Sequence, residues 1–162
     1  MSKPAAQESQ PIEQVAIDTI VEMLAVITVA GGYYTDLALG LITSEPASII
    51  DPTAAYVAVV ETGAEPMTDS QGRSLPRRSW LNVVIEVCTP RTSQGAYRQS
   101  RRARADIVRV LSEPLRTRPD GILSINFTGT QRIVDDDRRA ANHIVAQVSA
   151  RVGLSEPRSP AQ

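Results

Sequence analysis

The chain has 162 residues, enough for one domain with a real core, and its 42% hydrophobic content excludes wholesale disorder. Its 17 Lys and Arg nearly balance 18 Asp and Glu, yet the charge is segregated: residues 1–72 carry −9, residues 73–118 carry +8, and residues 119–162 sum to zero. One cysteine excludes an internal disulfide framework, and one histidine beside it leaves too few ligands for zinc.

Residues 1–10 are polar and are expected to be flexible, followed by a single domain over 11–153 and a disordered tail over 154–162. Pro11 suits the first position of a helix, and Glu13 favours its positive end. Ile12, Val15, Ile17, Ile20, Val21, Leu24 and Ile27 recur at helical spacing, which predicts a helix over about 12–30, stopped by Gly31 and Gly32. A strand is expected over 33–42, then a loop over 44–53 carrying Pro46 and Pro52, then a strand over 55–61. Residues 63–78 are turn-forming and polar, and read as an extended hairpin arm. Over 79–88, Leu81, Val83, Ile85 and Val87 alternate with Trp80, Asn82, Val84, Glu86 and Cys88, the pattern of a half-buried strand. Ser93 is a candidate cap for a second helix over about 94–113. Its apolar face is Ala96, Ala103, Ile107, Val110 and Leu111, and arginines cover much of the rest. A strand follows over 122–128, bent at Gly129 and resuming to Val134, with Asp135, Asp136 and Asp137 as a turn. The segment 144–152 fits both a strand and a helix, and its alternation of Ile144, Ala146, Val148, Ala150 and Val152 favours the strand. Strands run consecutively on each side of the second helix, so the expected class is α+β, a mainly antiparallel sheet packed by two helices.

Catalytic chemistry is sparse. His143 is the single histidine, read as a surface or interface residue, and Cys88 continues a strand alternation as a small packed residue. The Asp135–Asp137 triplet lacks the ligand spacing of a calcium loop. Gly31 and Gly32 follow a helix, whereas a phosphate cradle precedes one. No cofactor, no metal and no enzymatic activity are expected. Neither a signal leader nor an apolar run of the about 20 residues a membrane span needs is evident, so a soluble, cytoplasmically made chain is expected.

The arginines carry the remaining signal. Arg73, Arg77 and Arg78 sit on the arm and at the strand entry, while Arg98, Arg101, Arg102 and Arg104 sit on the second helix. They could neutralise nucleic-acid phosphates, but only Tyr97 is close enough to add base stacking. The −9 segment of the chain itself is an equally good counter-charge, met if the acidic part of one subunit contacts the basic part of the next.

The succession of an amphipathic helix, Gly31-Gly32-Tyr33-Tyr34-Thr35-Asp36, an Asp51-Pro52 loop before Ala54-Ala55-Tyr56, a polar arm leading into Trp80-Leu81-Asn82-Val83-Val84-Ile85-Glu86-Val87, and an Arg-rich helix with Asp106-Ile107 and Leu111 resembles the tail terminator, or tail-completion, proteins of long-tailed bacteriophages and prophages. The likeness spans roughly residues 12–152 and rests on element order and loosely similar segments. It implies an α+β subunit of a hexameric ring on the head-proximal end of the tail tube. Such a ring stops tube polymerisation, meets the head connector or neck protein, and lets DNA pass through its lumen without specific binding. The implied location is the virion tail. On this reading the arm, with Met67, Asp69, Arg73, Arg77 and Arg78, contacts a neighbour or the tube, and the Arg helix lies at a subunit or connector contact. A head-closure or neck subunit is the nearest alternative, and an Arg-rich DNA-binding accessory protein a further one.

Overall fold

The computed structural model describes residues 10–44, 54–115, 117–134 and 142–156, and of 130–134 the backbone alone. Helix α1 (Ile12–Leu24) leads through a 3-10 turn (Leu37–Leu39) to strands β1 (Leu41–Thr43), β2 (Tyr56–Thr68) and β3 (Ser74–Pro90). Helix α2 (Ala96–Ser112) and strands β4 (Ile122–Val134) and β5 (His143–Ser155) complete the fold. The strands form one sheet in the order β1-β2-β3-β5-β4. β1 runs parallel to β2 and every other pair is antiparallel, so the α+β class expected from the sequence holds, with one parallel edge.

Strand alternation decides which face is packed. Leu81, Val83, Ile85 and Val87 of β3 and Ala146, Val148, Ala150 and Val152 of β5 enter a single core with Ala16, Ile17, Ile20 and Leu24 of α1 and Ala103, Ile107, Val110 and Leu111 of α2. Both helices therefore cover one face of the sheet. Each fully buried Leu or Ile contributes about 1.5–3 kcal/mol. The alternate residues face the other way. Tyr56, Ala58, Cys88 and Val145 form a small apolar cluster there. Beyond them the face turns polar, with Gln147 donating to Glu86 at 2.8 Å. Arg151 stacks 5.0 Å from the centre of the Trp80 ring and pairs with Glu65. A mostly antiparallel sheet tolerates this division into a packed and a polar face.

Several expectations need correction. The first helix ends at Leu24, not near residue 30. Val26, Ile27, Thr28 and Val29 are all β-branched, which disfavours helix. Ile27 remains fully buried, its N–H turned to the Leu24 carbonyl at 3.1 Å. The strand expected over 33–42 is mostly turn and 3-10 helix, and only Leu41–Thr43 pairs. The hairpin arm expected over 63–78 is present, but its strands run further than expected: β2 and β3 pair through Pro66↔Ser79 to Thr68↔Ser74, and Arg78 still pairs with Ser155 of β5. Only the tip around 69–73 projects as a turn. Ser93 makes no side-chain cap; Gly95, left-handed at φ 68, precedes α2 instead. The expected tail boundary shifts as well, because β5 continues past Gly153 and Leu154 is buried. The ambiguous last element is a strand, as favoured. The loop at 45–53, the Asp135–Asp137 turn and residues 157–162 lie outside the described residues. Among the described residues no helix is long and apolar enough to cross a membrane.

Candidate interaction surface

Helix α2 owes its charge pattern to its period. Ala96, Ser100, Ala103, Ile107, Val110 and Leu111 turn inward, and Arg98, Arg101 and Arg102 are left exposed, with Arg104 half-buried at the flank. Its one acid, Asp106, is 1% exposed and forms no ion pair with them. Among the described residues, none of Arg98, Arg101, Arg102 and Arg104 has an ion-pair partner. Arg98 and Arg101 border a groove of about 680 Å³ at the start of the helix, together with Tyr97, itself half exposed.

The helix also anchors the segment that follows α1. The Asp106 carboxylate accepts the Tyr34 N–H at 3.0 Å and the Thr35 hydroxyl at 2.6 Å. Arg109 donates to the Gly32 carbonyl at 2.9 Å and lies 4.8 Å from the centre of the Tyr33 ring. Asp36 accepts the Val29 N–H at 2.7 Å. The Gly31–Leu37 run is thus held to α2 by side chains about seventy positions further along the chain. Sequence reading noted both segments without joining them; the signal was an isolated acid among the arginines of a helix.

The arm residues also have partners within the chain. Met67 is buried, with its methyl over Gly153 and beside Trp80. Asp69 accepts the Gln71 and Arg73 N–H groups, both at 2.9 Å, and pairs with Arg73 Nε at 2.8 Å. These bonds from Arg73 hold the Asp69 carboxyl below its ordinary value. Met67, Asp69 and Arg73 therefore shape the hairpin. Arg77 is exposed, with a left-handed backbone at φ 56, and its carbonyl accepts the Glu156 N–H at 3.0 Å. Arg78 is exposed as well.

His143 is buried, not at the surface as expected: Nε2 lies 3.0 Å from the Ala54 carbonyl, and the ring meets Tyr56 edge-on at 5.5 Å. Cys88 shares that face of the sheet and is 0% exposed, which makes it a packed residue. Among the described residues no three His, Cys, Asp or Glu gather as a metal site.

Two further surfaces escaped the sequence. Val29, Tyr34, Leu37, Leu41 and Tyr56 line an apolar cleft of about 310 Å³ beside β1, and Leu39 near it is 79% exposed. At the other end of the helix layer, a groove of about 170 Å³ runs between the ends of α1 and α2. Glu22, Met23, Val26, Val110, Glu113 and Leu115 are among its lining. Compared with known proteins, the chain matches no family model and no curated relative.

Proposed function

We propose that the chain is a structural assembly subunit, a tail terminator that closes into a ring, hexameric in the family it resembles, on the head-proximal end of a phage tail tube. It acts by surface complementarity and performs no turnover. It halts tube growth, meets the head connector or neck protein, and leaves a lumen for DNA. The observation that carries this reading is the exposed row Arg98, Arg101 and Arg102 on α2, unpaired among the described residues of a chain that holds ten of its eighteen acids in residues 1–72. Such a face wants an external counter-charge, and a protein neighbour supplies one with defined geometry.

The test is tail morphology. Loss of the gene from the phage or prophage that carries it yields tubes of uncontrolled length and few joined heads, and the wild-type gene restores both. Joining is reduced by R98E/R101E/R102E. Normal tail length and normal joining without the gene would sink the proposal. A DNA-binding accessory role predicts instead a salt-sensitive mobility shift on duplex DNA, with tails intact.

A further inference from the structure

The two ends of α2 carry complementary features. At its start, Tyr97 projects half exposed beside Arg98 and Arg101. At its end, the groove between α1 and α2 presents Glu22 and Glu113 on an apolar floor that includes Met23, Val26 and Leu115. Val26 is itself 44% exposed. The groove, at about 170 Å³, has room for one aromatic ring, since a cavity of about 150 Å³ accepts benzene. Among the described residues Glu113 pairs with Arg109 alone, at a loose 3.9 Å and with both side chains well exposed, which leaves it available to an incoming guanidinium.

We infer that Tyr97 of one copy seats in the groove between α1 and the end of α2 of the next copy, with Arg98 and Arg101 set against Glu22 and Glu113. Knob and hole lie about 25 Å apart along one seventeen-residue helix, so a chain cannot satisfy its own groove. The contact is head-to-tail: each copy offers both halves, and repetition closes a ring or runs on as a filament. The ring of aromatic area is the anchor, and the charge pairs around it set partner choice and approach. The inference rests on the assembly reading and names the face that reading leaves open.

Four samples of the full chain test it by sedimentation velocity at low salt: wild type, R98E/R101E, E22R/E113R, and the two variants mixed in equal amounts. Each variant alone presents like charges at every knob and hole, and associates at least about tenfold more weakly than wild type. Mixed, acidic knobs meet basic holes and basic knobs meet acidic holes, so association returns. Recovery also proves that both variants are folded. Y97A weakens association without changing its salt dependence. Wild-type assembly with no recovery in the mixture, or with Y97A unaffected, overturns this contact and leaves the ring reading standing. A chain monomeric to about 1 mM, alone or mixed, overturns the contact as a site of self-association. The ring reading is judged separately, from tail length in the gene-loss experiment. Loss of duplex binding in R98E/R101E with self-association intact would assign the basic end to nucleic acid and also overturn the contact.

Discussion

Replacing Asp106 by alanine tests whether one buried carboxylate holds the turn after α1 in place. Asp106 is 1% exposed and accepts two bonds, from Tyr34 N at 3.0 Å and from Thr35 Oγ1 at 2.6 Å. Bonds to a charged group contribute about 1.5–3 kcal/mol each, so the pair accounts for about 3–6 kcal/mol before compensation. Releasing a buried carboxylate returns part of this, because burial penalises the charge. The net expectation is a loss of about 2–4 kcal/mol. For a chain of this size that lowers Tm by about 5–15 °C. T35V keeps the shape of the side chain but removes the hydroxyl donor, and is expected to cost about 1–2 kcal/mol. The double variant D106A/T35V then falls short of additivity by about 1–2 kcal/mol, since the second change removes a bond already lost. Urea unfolding followed by far-ultraviolet circular dichroism gives the four free energies, and the fluorescence of Trp80, the single tryptophan, provides an independent probe. A D106A loss under about 0.5 kcal/mol, or an additive cycle, refutes the clamp.

Three further outcomes follow from local geometry. A Cβ on Gly153 would stand 2.9 Å from the Met67 methyl, 3.1 Å from Ser124 Oγ and 3.2 Å from the Trp80 ring. The methionine end can swing aside but the ring cannot, so G153A lowers stability by about 1–3 kcal/mol in thermal unfolding. Arg77, at φ 56, reverses the usual rule for strand residues. R77G is neutral or stabilising by up to about 1 kcal/mol, and R77V loses about 1–2 kcal/mol, both measured by urea midpoint. Asp69 titrates below the ordinary carboxylate value in the folded hairpin. Its contribution is therefore complete above that ordinary value and is lost as pH falls through the lower folded value. Amide signals of Gln71 and Arg73 hold steady from pH 7 to about 5 and move only below about pH 4, and D69N removes the transition.

Where a segment's surroundings repeat along the chain, the sequence was readable. β3 and β5 lie in the middle of the sheet, so Leu81, Val83, Ile85 and Val87, and likewise Ala146, Val148, Ala150 and Val152, alternate against the same helices. The inward face of α2 was legible for the same reason. Non-local partners defeated the reading elsewhere. Ile27 continues the apolar stripe of α1 and is buried, but it reaches the core from a turn, so periodicity overran the helix by about one turn and a half. Tyr33 to Ile42 has strand-like composition, yet Asp106 and Arg109 draw its backbone into a turn. Met67 stands alone among polar residues, and only the long pairing of β2 with β3 shows that it covers Gly153. The arginines of α2 were legible as exposed; the groove between α1 and α2 was not, because it depends on two helix ends meeting in space.

The charge division seen along the chain survives folding. Acidic and basic segments that collapse together could have neutralised one another inside the subunit. Between described residues, one ion pair that joins the two segments is at the hairpin tip, where Asp69 and Arg73 are four positions apart. Arg109 and Glu113 also pair within one helical turn, and Arg151 takes Glu65 on the polar face of the sheet, outside the basic segment. Helix packing explains the outcome. α1 and α2 share one core, so their apolar stripes face the sheet and their charged ridges both face outward. Half-buried Asp18 and exposed Glu22 of α1 are carried on the same layer as the exposed Arg98, Arg101 and Arg102 of α2. Among the described residues no ion pair joins them, and exposed charges further apart than a Debye length of about 8 Å are largely screened from one another. In the proposed head-to-tail contact, a second copy would bring the opposite sign to that layer. On the proposed assembly reading, that unpaired charge is binding energy that only a neighbour would realise.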